Sequence, residues 1–214
     1  MSSREDVAAI HVDIVACQLC DAGGLAVEHP TRMERGSGRH ILVVGIEPGR
    51  TELASGISFS GPGGRRLMNW LRSAGLGDTP EEIRRNAYLT SLCKCRVVDK
   101  RQFNHVVRNC FPFLVRQISA LEPRVCVTLG IEPLRFMFGY RGLLRDLVGT
   151  ARAEHELGQS LFAFLPTGCK VVPLPHPSPR STWLTGAAEG QSLLSALSIL
   201  RAEVECLGSG LKSF

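Results

Sequence analysis

The residues with most chemical potential in this chain are its cysteines, eight in all, and their spacing matters more than their number. Cys17 and Cys20 form a C-x2-C pair in "CQLC". Two intervening residues let both thiolates reach one metal centre with little backbone strain, and a second half-site elsewhere can meet them in the fold. Cys95 and Cys110 offer such a half-site, flanking the basic stretch "RVVDKRQFNHVVRN", with Cys93 two residues ahead of Cys95. Four thiolates suit either zinc or an iron–sulfur cluster. The alternative is that these are small core residues. Cys126, inside an apolar run, and the isolated Cys169 and Cys206 read as structural.

Two further groups could do chemistry. In "PLPHPSPR", residues 173–180, His176 stands between prolines after an apolar run. Each proline fixes its own φ and restricts the residue before it, so the imidazole is rigidly aimed. It could donate to an oxygen that gains charge in a transition state, or simply cap a turn. In "HILVVGIEPGRTELASGISFSGPGG", residues 40–64, an apolar run empties into a glycine-rich loop holding Glu47 and, further on, Phe59 between two serines. A flat aromatic among approachable backbone suits stacking on a planar ring, and core filling is the other reading.

These groups need a frame that gathers them. The apolar, β-branched runs at 40–46, 125–130 and 171–175 each end at glycine or proline, as buried parallel strands do. Helical periodicity lies between them: Leu67, Trp70, Leu71 and Ala74 share one face, with Gly75 placed to end the helix. Val107, Phe111, Leu114, Ile118 and Leu121 share another, with Pro112 expected to start or kink that helix. A final helix follows Gly190. The pattern predicts a three-layer α/β/α sandwich with a central, mostly parallel four-stranded sheet, in one domain over 1–206 with a tail at 207–214. Ligands in such sheets sit at the carboxyl ends of strands. That places the loops after Val44, near Thr90-Ser91 and after Pro173 together.

A hydrophobic fraction of 44% and 21% charged residues are ordinary for a folded soluble chain. The net charge of +5 suits an anionic partner, nucleic acid first among them. No window reaches membrane-spanning length, and the N-terminus lacks the apolar core of a signal peptide. A cytoplasmic protein with no membrane partner and with reduced cysteines is therefore expected.

In register, these segments resemble the uracil-DNA glycosylase superfamily, and within it the iron–sulfur branch known as family four. The resemblance runs from Cys17 to about Arg180. The family's Gly-Glu-Ala-Pro-Gly loop corresponds to Gly45-Ile46-Glu47-Pro48-Gly49, and its Pro-Phe-Val-Gly segment to Ser58-Phe59-Ser60-Gly61. Its Thr-Asn segment leading to Lys-Cys-Arg is similar to Thr90-Ser91-Leu92-Cys93-Lys94-Cys95-Arg96. Cys110-Phe111-Pro112-Phe113-Leu114 and His176-Pro177-Ser178 complete the set.

The resemblance implies a structural [4Fe–4S] cluster on Cys17, Cys20, Cys95 and Cys110. It implies DNA, single- or double-stranded and containing uracil, as substrate for a chain acting as a monomer. A flipped pyrimidine would stack on Phe59, with Gly45, Ile46 and Ser91 contributing to base binding. His176 would stabilise charge on the departing base, and Glu47 would activate water or stabilise the sugar cation. Lys94, Arg96, Lys100, Arg101, Ser178 and Arg180 would meet the DNA, Arg180 filling the vacated space. Two positions depart from the family pattern. Its acid after the first glycine is Ile46 here, with Glu47 one step later, and neighbouring residues in extended chain point opposite ways. Its base-reading asparagine is Ser91, a single hydroxyl in place of a donor and an acceptor. Hypoxanthine and xanthine thus enter as further substrates, and a non-catalytic binder of damaged DNA as an alternative. His105 lies where one covalently linking branch carries a histidine, but without that branch's basic insertion, so plain hydrolysis is expected.

Overall fold

The computed structural model describes residues 6–158, 165–181, 183 and 186–211. Two N-terminal helices, α1 (Val7–Ala16) and α2 (Leu19–Ala22), precede a short strand, β1 (Val27–Glu28), and the first long strand, β2 (Ile41–Gly45). Then come α3 (Arg50–Ser55), α4 (Pro62–Ser73), α5 (Pro80–Asn86), β3 (Tyr88–Ser91) and β4 (Arg96–Val97). The second half holds α6 (Phe103–Leu121), β5 (Val125–Leu129), α7 (Ile131–Phe138), β6 (Arg152–Ala153), α8 (Glu154–Leu157), β7 (Lys170–Leu174) and α9 (Ala187–Leu211).

The main sheet runs β3-β2-β5-β7-β6. Its first four strands are mutually parallel, and β6 adds a two-residue antiparallel edge to the four that were expected. The expectation of a mostly parallel sheet between helical layers holds. Alternation explains the layers. Leu42, Val44, Tyr88, Cys126 and Val171 face one side, where Val107, Leu114 and Ile118 of α6 and Leu134 of α7 cover them. Ile41, Val43, Leu89, Val127 and Val172 face the other, under Leu67 and Leu71 of α4 and Leu193 and Leu200 of α9. A strand buried on both faces carries no polar alternation, which is why β2, β5 and β7 read as continuous apolar runs.

Several boundaries differ from expectation. Thr90 and Ser91, expected in a loop, are the last residues of β3, a strand too short to announce itself. The helix expected to start or kink at Pro112 begins at Phe103 and continues through the proline, which offers no N–H to the Arg108 carbonyl. Gly75 ends the α4 region as expected: its φ is 81°, and Leu76 N–H closes back on the Leu71 carbonyl at 3.0 Å. α9 begins before Gly190 and continues past Cys206 to Leu211, so 207–211 is helical and not a tail, while 212–214 lie outside the described residues. Among the described residues no helix is long and apolar enough to cross a membrane.

Candidate functional site

The carboxyl ends of β2, β3 and β7 open on one cavity of about 460 Å³. Four chain segments build it: Met33 and Arg35 ahead of β2, the glycine-rich path from Glu47 to Gly64, the exit of β3 with Thr90, Ser91 and Lys94, and the turn from His176 to Arg180. The sequence expectation that these loops meet is met by the geometry.

Phe59 is held in the glycine path by what its neighbours lack. A Cβ at Gly45 would sit 2.8 Å from Phe59 Cζ, and one at Gly64 would sit 1.9 Å from the Phe59 carbonyl oxygen. Phe59 itself adopts φ 55°, a left-handed conformation that costs a non-glycine residue about 1–2 kcal/mol. Gly45 and Ile46, expected to bind base, do not line the cavity. Their carbonyls accept from Leu92 N–H (3.0 Å) and Cys93 N–H (2.9 Å) as β3 leaves the sheet. Gly45 therefore serves the ring of Phe59.

Sequence reading missed Glu52. Its carboxylate accepts from Gly49 N–H at 3.1 Å and from Gly61 N–H at 2.9 Å, latching the two glycine turns across the start of α3. The available signal was a capping-box spacing, an acid three residues after a helix-starting glycine.

His176 is half-buried, and its Nδ1 accepts from Ser178 N–H at 3.2 Å. An accepting Nδ1 leaves the proton of the neutral ring on Nε2. Burial lowers its pKa below the ordinary 6.5, with Glu132 opposing the shift. The ring is thus a neutral donor near pH 7. Arg66 fixes the same turn, its guanidinium donating to the Ser178 carbonyl at 3.0 Å.

Glu47 borders the cavity, but both its oxygens are engaged. One accepts from Val97 N–H at 2.9 Å and the other is paired with the Lys100 ammonium. Ser91 donates its hydroxyl proton to the Cys93 carbonyl at 2.7 Å, leaving only lone pairs for anything else.

Lys94 corrects an expectation. It was expected at the phosphates, yet it is 2% exposed and its ammonium donates inward to Thr90 Oγ1 (3.0 Å), the Ser91 carbonyl (2.6 Å) and Gln117 Oε1 (2.9 Å). All three donors are spent inside, and burial, with Arg35 adding, lowers its pKa to about 7. The other basic-loop residues are tied to acids: Arg96 to Glu28 at 2.8 Å, Lys100 to Glu47 and Arg101 to Asp99 at 2.9 Å. None of these three borders the cavity, whereas Ser178 and Arg180 do. His105 is exposed on the first turn of α6 and also stands apart from it.

The cysteines gather at a separate corner. Cys17 caps α1, Cys20 lies in α2, Cys110 in α6, and Cys95 precedes β4. The antiparallel β1–β4 ribbon, pairing Val27 with Val97, carries Cys95 to the N-terminal helices. Lys94 N–H donates to Cys110 Sγ at 3.3 Å and the Asn109 amide to Cys20 Sγ at 3.6 Å. Burial first, then Cys110, Cys20 and Cys17, push the Cys95 thiol up to about 12. Such thiols keep their protons unless a positive centre takes their place. Among the described residues no three His, Cys, Asp or Glu side chains close tightly enough to hold a single metal ion. Four thiols, two of them accepting N–H bonds at sulfur, have the donor chemistry of thiolate-bound groups.

A sequence model described as the "Uracil DNA glycosylase superfamily" matches residues 36–198. A type-4 uracil-DNA glycosylase of Archaeoglobus fulgidus is 33% identical over 144 residues, covering 64% of this chain and 65% of that protein. The type-4 enzyme of Saccharolobus solfataricus is 28% identical, over 56% of this chain and 54% of its own. A type-5 enzyme of Pyrobaculum aerophilum is 27% identical, over 78% of this chain and 73% of its own. The chain thus spans between half and two thirds of the length of the type-4 relatives it matches. With the family profile matched across the sheet, the glycine path and the His176 turn alike, the chain belongs to the uracil DNA glycosylase superfamily.

Proposed function

We propose that this protein hydrolyses the N-glycosidic bond of uracil in DNA, leaving an abasic site. The observation that carries this reading is the neutral His176, its Nε2–H without an acceptor among the described residues, in one cavity with Phe59 on a glycine floor. The target nucleotide leaves the stack at a cost of a few kcal/mol, and its base stacks on Phe59. The C1′–N1 bond breaks with its electron pair retained by the base, and charge develops on the base oxygens. His176 donates to one of them, an interaction worth about 3 kcal/mol for a single well-placed donor. Water adds to the sugar cation, and its proton ends on the departing base.

Glu47 is not the water-activating base in this reading, because Val97 N–H and Lys100 hold its carboxylate. It braces the loop after β2 against β4, and catalysis rests on His176 and substrate strain. Ser178 and Arg180, at the rim, meet the phosphates and the vacated duplex. Cys17, Cys20, Cys95 and Cys110 hold a [4Fe–4S] cluster that ties the N-terminal helices to α6 and takes no part in bond cleavage.

A specific observation supports a second substrate class. With its proton committed to Cys93, Ser91 offers only acceptors, and the ring N–H it would accept from is shared by uracil, hypoxanthine and xanthine. Oligonucleotides carrying each base, incubated and then treated with alkali, test both readings. Strand cleavage at uracil is expected. No cleavage on single- or double-stranded uracil DNA, with tight binding retained, would instead establish a binder. The purified protein should be brown; a colourless protein holding zinc would rule out the cluster.

A further inference from the structure

Arg35 stands in the wall of the same cavity, and neither the sequence reading nor the mechanism above uses it. It is 3% exposed. Among the described residues the one hydrogen bond of its guanidinium runs from Nη1 to the Met33 carbonyl at 3.1 Å, and no carboxylate pairs with it. A buried guanidinium has five N–H donors to satisfy and a heavy desolvation cost, so an unpaired one is unusual.

Its backbone is anchored for precision. Leu89 N–H donates to the Arg35 carbonyl at 2.6 Å, and Ser37 N–H to the Arg84 carbonyl at 2.8 Å. Gly36 and Gly38 follow where no side chain fits: an added Cβ would lie 2.3 Å from the Ala87 oxygen and 2.1 Å from the Asn86 carbonyl carbon. The segment is pressed against the α5–β3 junction, which fixes where the side chain enters. A fixed positive charge in a water-poor wall does little for a neutral base. It does much for one that is leaving with an electron pair.

We propose that Arg35 is a second anion-stabilising group of this site, favouring the departing base, or any flat anionic heterocycle, over its neutral form. The inference rests on the base-excision reading above. When the C1′–N1 bond breaks, the electron pair stays on the base; His176 supplies a neutral donor and Arg35 a full charge. The competing role is counter-charge on the side away from the cavity, where the Tyr88 hydroxyl first and the Cys95 thiol second act on Arg35.

Two measurements on the full chain with its thiol corner loaded separate these roles. The first is single-turnover excision of uracil and of 5-fluorouracil by the parent, Arg35→Gln and Arg35→Lys. Arg35→Gln should slow uracil release by ~10²-fold, and 5-fluorouracil, whose anion is intrinsically more stable, by only ~10-fold, with Arg35→Lys close to the parent. Equal losses for both bases, or none, overturn the proposal. The second is equilibrium binding of free barbiturate, anionic at neutral pH, and of free uracil, followed by tryptophan fluorescence. The parent should prefer barbiturate, and Arg35→Gln should lose that preference with its visible absorption unchanged. A parent that excises uracil without any charge preference refutes the role of Arg35 alone. A parent that excises nothing yet shows the preference, lost in Arg35→Gln, removes the excision reading and leaves the anion site standing.

Discussion

Two loops face each other across the cavity, and they reach rigidity by opposite means. The turn after β7 is stiffened from within: Pro175, Pro177 and Pro179 restrict the backbone, and one hydrogen bond from Ser178 sets the tautomer of His176. The path after β2 carries proline only near its two ends, at Pro48 and Pro62. It is rich in glycine, and Phe59 occupies a backbone conformation that its own side chain disfavours. Its order comes from side chains, through the Glu52 latch that ties Gly49 to Gly61 within the path and through Arg84 of α5, which donates to the Ser58 carbonyl at 2.6 Å. One loop is preorganised chiefly by its backbone and the other by side chains that reach across it. Mutations in the first should remove chemistry, and mutations around the second should remove binding.

The largest expected effect lies in the proline turn. His176→Ala should lower the excision rate by ~10²–10³-fold with little change in affinity for uracil DNA, measured under single turnover. A matching loss of affinity would erase the division between the loops. Next comes the glycine path. Phe59→Ala should weaken binding of uracil DNA by about 1–3 kcal/mol, the worth of one base–aromatic stack. Gly45→Ala displaces the same ring, so the double variant should be no weaker than the worse single variant, a non-additivity that equilibrium titration reads directly.

Smaller is the latch. Glu52→Gln keeps one acceptor and should cost about 1–2 kcal/mol in unfolding free energy, with weaker DNA binding and an unchanged rate at saturation. A drop in the saturated rate would show that the glycine path also steers chemistry. Smallest is the acid limb of the pH profile. Protonating Nδ1 would break the Ser178 N–H bond that aims the ring, and the His176 pKa is depressed by burial, so activity should persist as pH falls through 6.5 and decline only below it. Glu132→Gln removes the opposing charge and should move that decline further toward acid.

The same contrast explains what could be read from the sequence. The proline turn was legible because its constraint is written in the residues themselves. The three apolar strands were legible because burial on both faces leaves a continuous run. β3 was not, since four residues ending in Thr90-Ser91 carry too little pattern. Lys94 was misread because a lysine beside Arg96 in a basic stretch looks solvent-facing; only the turn out of β3 sends it inward to Gln117, a partner on another element. Glu52 was overlooked although its spacing after Gly49 was there to read, and Arg35 escaped because its role depends on segments far apart in the chain meeting at one cavity.

The order of the strands has a consequence for how the site comes into being. β2, β3 and β5 precede β7 in the chain, and β7 pairs with β5 alone among the parallel strands. The wall bearing Phe59 can therefore assemble on a sheet whose final parallel strand is still absent. His176 follows β7 directly, so its donor comes into place only when that strand docks through contacts distant in sequence, the slow kind of pairing. A nascent or partly unfolded chain would hold the Phe59 wall of the cavity before the His176 donor that faces it.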